Sequence, residues 1–224
     1  MSRVGVIIPA GGAGVRLGGL PKAQLVLHGH PLLRLAIAPF LERPDVVQVV
    51  VALPVGMLGD PAAWLQYPRI RLVEGGSERM HSVRAALDAL TPDADIVVVH
   101  DAARPLVSRD LIARVIDAAS RGNGAIAALP ASDTIHEVDE RNLIRGTLDR
   151  SKLWQAQTPQ AFPRAMLVEA HRLAASANAI ATDDAGLVLR MGSQVEVVTG
   201  ERTNLKITTP DDIHLAEAIL AQRT

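Results

Sequence analysis

The chain has 224 residues, 48% of them hydrophobic, and a formal net charge of −1. That length buries one large core and fits a single domain over 1–224. A near-neutral charge and 2% aromatic residues argue against a nucleic-acid surface or a base-stacking platform. The absence of cysteine excludes disulfides, zinc–thiolate centres and thiol nucleophiles, and points to a reducing, cytoplasmic compartment.

The first apolar run, Val4–Ile8, is too short for a signal peptide or a membrane span, so no membrane association is expected. It reads as a buried strand that enters a loop at Pro9-Ala10-Gly11-Gly12. His28-Gly29-His30 reads as a turn. A helix over Pro31–Leu41 is followed by strands at Val46–Leu53 and Ile70–Val73 and a helix over Glu78–Leu90. Then come a strand at Ile96–His100, a helix over Ser108–Ser120 and a strand at Ala125–Leu129. A helix over Pro163–Ala175, a strand at Val195–Val198 and a helix over Asp211–Ala221 complete the order. Ser108 is placed as an N-cap, and Thr209-Pro210-Asp211-Asp212 combines a cap, an early proline and two acids against the helix dipole. Consecutive apolar positions within the strands require a sheet covered on both faces. The expected fold is therefore α/β: a three-layer α/β/α sandwich around a mostly parallel, Rossmann-like twisted sheet.

The segment 132–150 breaks this alternation. Ser132–Leu148 holds two short alternating stretches around Asp139-Glu140-Arg141-Asn142, the pattern of a polar hairpin. A two-stranded arm is marginal alone, so it is expected to pack on a second subunit and to serve as a dimerisation arm. An ordinary surface hairpin is the alternative.

The loop after the first strand, through Gly12, Gly14, Arg16 and Lys22, carries five glycines between Gly11 and Gly19. Glycine lets backbone N–H groups converge on an anion, and Arg16 and Lys22 add charge at either end, which suits a triphosphate. A P-loop is ruled out because Lys22 follows Pro21 and precedes Ala23. A dinucleotide fingerprint fails because Leu17 stands at its third position and the second strand ends Ala52-Leu53-Pro54 without an acid, which disfavours a dinucleotide-dependent oxidoreductase. Asp101, just past the strand Ile96–His100, lies at the edge where ligands of open α/β sheets bind, and a hard carboxylate beside a triphosphate suits Mg²⁺. Asp101 could instead cap a turn or pair with Arg104. His100 reads as a packed strand-end residue, and the seven histidines form no metal-spaced cluster.

Pro9-Ala10-Gly11-Gly12-x-Gly14-x-Arg16-Leu17 with Pro21-Lys22 resembles the signature of nucleotidyltransferases that activate sugar and polyol phosphates. Within them the chain resembles, nearly end to end, the 2-C-methyl-D-erythritol 4-phosphate cytidylyltransferase family. The motifs that carry this are Gly75-Gly76-Ser77-Glu78-Arg79 with Ser82-Val83, His100-Asp101-Ala102-Ala103-Arg104-Pro105, Asp133-Thr134 and Asp149-Arg150. Gln157-Thr158-Pro159-Gln160, Thr182-Asp183-Asp184-Ala185 and Asn204-Leu205-Lys206-Ile207-Thr208 follow in order.

The resemblance implies a homodimeric, Mg²⁺-dependent enzyme that joins CTP to the polyol phosphate in non-mevalonate isoprenoid biosynthesis. Ala10, Gly11, Gly12, Gly14, Gly76, Ser77, Ser82, Asp101 and Ala102 are implied at the nucleotide, with Asp101 as the metal ligand. Arg16 and Lys22 would stabilise the α-phosphate and the departing pyrophosphate. Lys206 and Arg150 would hold the incoming phosphate in a pocket lined by Asp101, Arg104 and Thr158, with Thr134 and Arg150 reaching across from the partner's arm. Simpler readings stand beside these: a solvated Lys206, a structural Arg104, a surface ion pair for Arg150, and Thr182-Asp183-Asp184 as a helix cap. Ribitol 5-phosphate remains an alternative alcohol, and a non-catalytic CTP-binding regulator an alternative class.

Overall fold

The computed structural model describes residues 2–11 and 25–223. Gly12, Gly14, Arg16 and Lys22 therefore lie outside the described residues.

The strands are β1 (Val4–Pro9), β2 (Val26–Leu27), β3 (His30–Pro31), β4 (Val46–Leu53), β5 (Ile70–Glu74) and β6 (Ile96–Val99). They continue with β7 (Gly124–Pro130), β8 (His136–Val138), β9 (Ile144–Thr147), β10 (Trp154–Pro163) and β11 (Val195–Thr199). The α-helices are α1 (Leu32–Leu41), α2 (Arg79–Ala89), α3 (Arg109–Ala119), α4 (Arg164–Ser176), α5 (Asp184–Arg190) and α6 (Pro210–Ala221). None of the described helices is long and apolar enough to cross a membrane.

Seven strands form one sheet in the order β11-β7-β10-β6-β1-β4-β5. β1 pairs in parallel with both β4 and β6, β4 with β5, and β7 with β11. β10 runs antiparallel to both neighbours. The three central parallel strands are apolar at consecutive positions because both faces are covered. Val6 and Ile8 of β1 face one layer, with Ile37 and Phe40 of α1 and Leu111, Ile112 and Val115 of α3. Ile7 faces the other, with Val83 and Leu87 of α2, Leu167 of α4 and Leu187 of α5. α6 closes a smaller cluster of Leu27, Leu32, Leu106, Ile207 and Ala216. This is the expected three-layer sandwich.

The expected caps form. Ser108 accepts from the Leu111 N–H at 3.0 Å, and Asp212 accepts from the Thr208 and Thr209 N–H groups at 2.7 Å each, which closes the first turn of α6. His28 and Gly29, at φ 46° and 75°, make the tight two-residue turn between β2 and β3.

β10 is an element that the sequence pattern does not announce. Two prolines and three glutamines in ten residues hide it, since proline donates no ladder hydrogen bond. The sheet accommodates Pro159 in a register shift between Ala156 and Gln160, where pairing with β7 lapses. Gln157 and Thr158, inside that interruption, are buried and line the strand-end cleft. α5 is a further element, short enough that only its cap shows in the sequence. Asp183 does cap it, accepting from the Gly186 N–H at 2.9 Å.

The hairpin β8–β9 pairs His136 with Thr147 and Val138 with Ile144. Asp139 builds its turn by accepting from the N–H groups of Arg141 and Leu143, both at 2.9 Å. Val138, Leu143 and Ile144 are all more than half exposed, so the arm is less polar than its composition suggested.

Candidate active site

The carboxyl ends of β1, β4 and β6 converge on one cleft. Ala10 is anchored to β4 through its N–H on the Ala52 carbonyl at 2.8 Å, and Gly75 through its N–H on the Leu53 carbonyl at 2.7 Å. The turn before α2 folds tightly over Ser82, whose hydroxyl accepts from the Gly76 N–H at 3.1 Å. A Cβ on Gly76 would meet the His81 Cβ at 2.3 Å, and one on Gly75 the Leu53 carbonyl at 3.1 Å, so this approach requires glycine. The result is a cavity of about 170 Å³ lined by Ala10, Gly11, Gly76, Ser77, Ser82, Asp101, Ala102 and Lys206. A second cavity, of about 220 Å³, is lined by Arg104, Gln157, Thr158, Gln160 and Asp183. Arg79, Asp101 and Lys206 line both.

Asp101 is the junction. Its Oδ1 accepts from Arg79 Nε at 3.0 Å, its Oδ2 pairs with Lys206 Nζ at 2.7 Å, and Arg104 Nε lies 4.0 Å from Oδ2. Burial alone would raise the carboxyl, but Arg79, then Lys206 and Arg104, hold it well below the usual carboxylate range. Asp101 is therefore ionised at any working pH.

Lys206 pairs with Asp101 from an anchored loop. Its loop is fastened on both sides: the Asn204 amide donates to the Thr158 carbonyl at 2.8 Å, and the Ile207 N–H to the Ala103 carbonyl at 2.8 Å. Asn204 is fully buried, so the lysine two residues on is presented from a fixed base while its own side chain keeps 41% exposure. Arg104 is buried and committed to backbone, donating to the Asn204 carbonyl at 2.7 Å and the Ala156 carbonyl at 3.4 Å. Burial lowers the pKa of its guanidinium, Asp101 works against that, and Nε is left without a hydrogen-bond partner. It also lines the second cavity.

Arg79 stands in one of the motifs, yet nothing in the sequence assigns it a role. It bridges Asp101 and the fully buried Asp184, reaching the latter through Nη1 at 2.8 Å, and Asp184 also receives His171 Nε2 at 3.1 Å. Burial would lower the Arg79 pKa, but Asp184 and Asp101 raise it above its ordinary value. Gln157 and Asn204 are further omissions, joined at 3.2 Å. Both sit in motifs that the sequence displays, but their work depends on contacts 44–47 residues apart.

Thr134 and Arg150 lie on the exposed arm, and neither lines either cavity of its own chain. Arg150 donates to the Ser132 carbonyl at 2.8 Å.

His100, as expected, is packed at the strand end. Burial pushes its imidazole down to about 4, helped by Arg104 and Arg79 and opposed by its bond to the Arg104 carbonyl and by Asp101. The neutral form is thus favoured in the folded state. Stability from this source is present above the unfolded value of about 6.5 and is lost as pH falls toward the folded value of about 4. Melting temperature should decline across that window in wild type and decline less steeply in His100→Gln. Parallel profiles would show that His100 does not carry the effect.

A family model described as 2-C-methyl-D-erythritol 4-phosphate cytidylyltransferase matches residues 4–222. The chain is 43% identical over 224 residues to the enzyme of that name from Syntrophus aciditrophicus, covering 97% of this chain and 96% of that one. It is 45% identical over 218 residues to that from Rhodococcus jostii, covering 96% and 94%. The crystal structure of the Thermus thermophilus enzyme superposes with a TM-score of 0.84 at 40% identity, covering 98% of this chain and 99% of that one.

Proposed function

Because the chain belongs to the 2-C-methyl-D-erythritol 4-phosphate cytidylyltransferase family, we propose that its first cavity takes CTP and its second the phosphate of the polyol. The protein is a nucleotidyltransferase of the non-mevalonate isoprenoid-precursor pathway, producing 4-diphosphocytidyl-2-C-methyl-D-erythritol and pyrophosphate. The observation that carries the two-cavity reading is the Asp101–Lys206 pair, which lines both spaces.

An oxygen of the polyol phosphate attacks the α-phosphorus of CTP. A new P–O bond forms as the bond to pyrophosphate breaks, and no enzyme nucleophile is needed because the attacking phosphate is already ionised. Two unit charges at about 4 Å repel by roughly 4 kcal/mol at an effective dielectric of 20, so fixed cations must offset the approach. Lys206 can exchange its carboxylate for the incoming phosphate while Arg79 keeps Asp101 in place. Arg16 and Lys22, by family likeness, act on the α-phosphate and the leaving pyrophosphate.

Both oxygens of Asp101 are already engaged, and no group of three or more His, Asp or Glu is gathered for a metal among the described residues. This donor set would fit a Mg²⁺ ion held mainly by the triphosphate, with Asp101 as its protein carboxylate, better than an ion caged by protein. Bound there, Mg²⁺ would neutralise charge on the phosphates.

Thr134 and Arg150 are assigned to the substrate site of a second copy, which makes the sites of a homodimer shared. The exposed apolar residues of the arm support this reading. Polyanionic substrates do not cross membranes unaided, which supports a cytoplasmic enzyme.

Pyrophosphate release should be measured with CTP and either 2-C-methyl-D-erythritol 4-phosphate or ribitol 5-phosphate. The methylerythritol ester should be at least about 10-fold more efficient. Equal or better use of ribitol phosphate would overturn the substrate assignment, and saturable CTP binding without pyrophosphate would favour a regulator.

A further inference from the structure

His100 has no exposed surface and lines neither cavity, yet its two ring nitrogens hold both sides of the junction. Nε2 lies 2.9 Å from the Arg104 carbonyl, and Nδ1 lies 3.1 Å from the Thr158 hydroxyl. That hydroxyl also accepts from the Asp101 N–H at 2.9 Å. The ring packs at 5.3 Å, tilted by 53°, on Phe40.

Donor accounting fixes every proton in this group. A carbonyl oxygen only accepts, so Nε2 carries the imidazole proton and Nδ1 is bare. The Thr158 oxygen accepts from Asp101, and its single hydroxyl proton then points to Nδ1. The chain runs Asp101 N–H to Thr158, Thr158 O–H to His100, His100 N–H to Arg104. A second ring proton would reverse the Thr158 link, turning the hydroxyl from donor to acceptor, and add positive charge beside Arg79 and Arg104.

We infer that His100 is a positioning residue for nucleotidyl transfer: with Nε2–H on the Arg104 carbonyl and Nδ1 on the Thr158 hydroxyl, it fixes where the Asp101 carboxylate stands between the two substrates. The inference rests on the cleft reading above. Its hydrogen-bond chain runs through side chain and backbone of residues 100–104 and crosses to β10, so slack in it moves Asp101 and with it Lys206.

The test is a double-mutant cycle read as kcat and KM with CTP and 2-C-methyl-D-erythritol 4-phosphate. His100→Gln can set its amide N–H at the Nε2 position, on the Arg104 carbonyl, but has no acceptor at the Nδ1 position facing Thr158; Thr158→Val removes the other end of the same bond. Each should lower kcat by about 10-fold, and the double variant should lose no more than the worse single, as expected of one coupled unit. KM for CTP should stay within about twofold, and Thr158→Ser, which keeps the hydroxyl, should restore near wild-type kcat. Losses that multiply to about 100-fold, or wild-type kcat in His100→Gln, would overturn the inference. Nitrogen NMR of wild type gives a readout that needs no variant. It should show a protonated Nε2 and a bare Nδ1 on His100, and the opposite tautomer would equally overturn it. A wild-type protein that turns over normally beside unaffected variants refutes this inference alone; a wild type without turnover refutes the cleft reading itself.

Discussion

Lys206→Met should lower kcat by about 10²–10³-fold with the fold intact, the scale seen when a preorganised donor to a developing charge is lost. Lys206 is the cation of the junction that retains substantial exposure, and its 2.7 Å partner Asp101 is also held by Arg79. Removing Lys206 therefore leaves Asp101 paired and ionised, and leaves Asn204 and Ile207 still fastening the loop. On the proposed function, what disappears is the charge that lets one phosphate approach another. Lys206→Arg should recover only part of the activity, because a planar guanidinium does not replace a compact ammonium at one point. Turnover within a few-fold of wild type in Lys206→Met would remove this residue from the chemistry.

Asp184→Ala should destabilise the protein by about 3–5 kcal/mol, the cost of removing one member of a buried ion pair. In a chain of this size that lowers the melting temperature by roughly 10 °C. Asp184 is 1% exposed and satisfies Arg79 Nη1 at 2.8 Å and His171 at 3.1 Å. Burial would raise its carboxyl, but Arg79 and His171 hold it below the ordinary value. Without it Arg79 keeps Asp101 as its carboxylate partner and is free to swing, so activity should fall together with stability. Asp184→Asn keeps an acceptor and should lose less of both. A melting temperature unchanged by Asp184→Ala would mean that water replaces the carboxylate and that Arg79 is not clamped.

Much of this molecule can be read from residues alone where packing obeys local pattern. Val46–Leu53 is apolar enough at consecutive positions to identify a strand covered on both faces, and its limits are those of β4. The caps at Ser108 and Asp212 are similarly local, since partner and cap are three or four residues apart. β10 is illegible for the opposite reason. Its glutamines and Pro159 are tolerated because neighbouring strands and a register shift supply what the segment lacks. The motifs around Asp101 and Lys206 converge on one cleft. The role of Arg79 is not legible, since its carboxylates stand 22 and 105 residues away along the chain. The same holds for Asp184, which looks like a cap beside Asp183 and is instead a buried counter-charge.

Asp101 stands where the two cavities meet, and a crystal structure with the diphosphocytidyl product bound tests its place most directly. The cytidine should lie in the cavity walled by Ala10, Gly76 and Ser82, the polyol in that walled by Gln157 and Thr158, and the diphosphate should pass Lys206 between them. A product whose diphosphate lies away from Lys206, or whose two ends occupy a single cavity, would contradict the account.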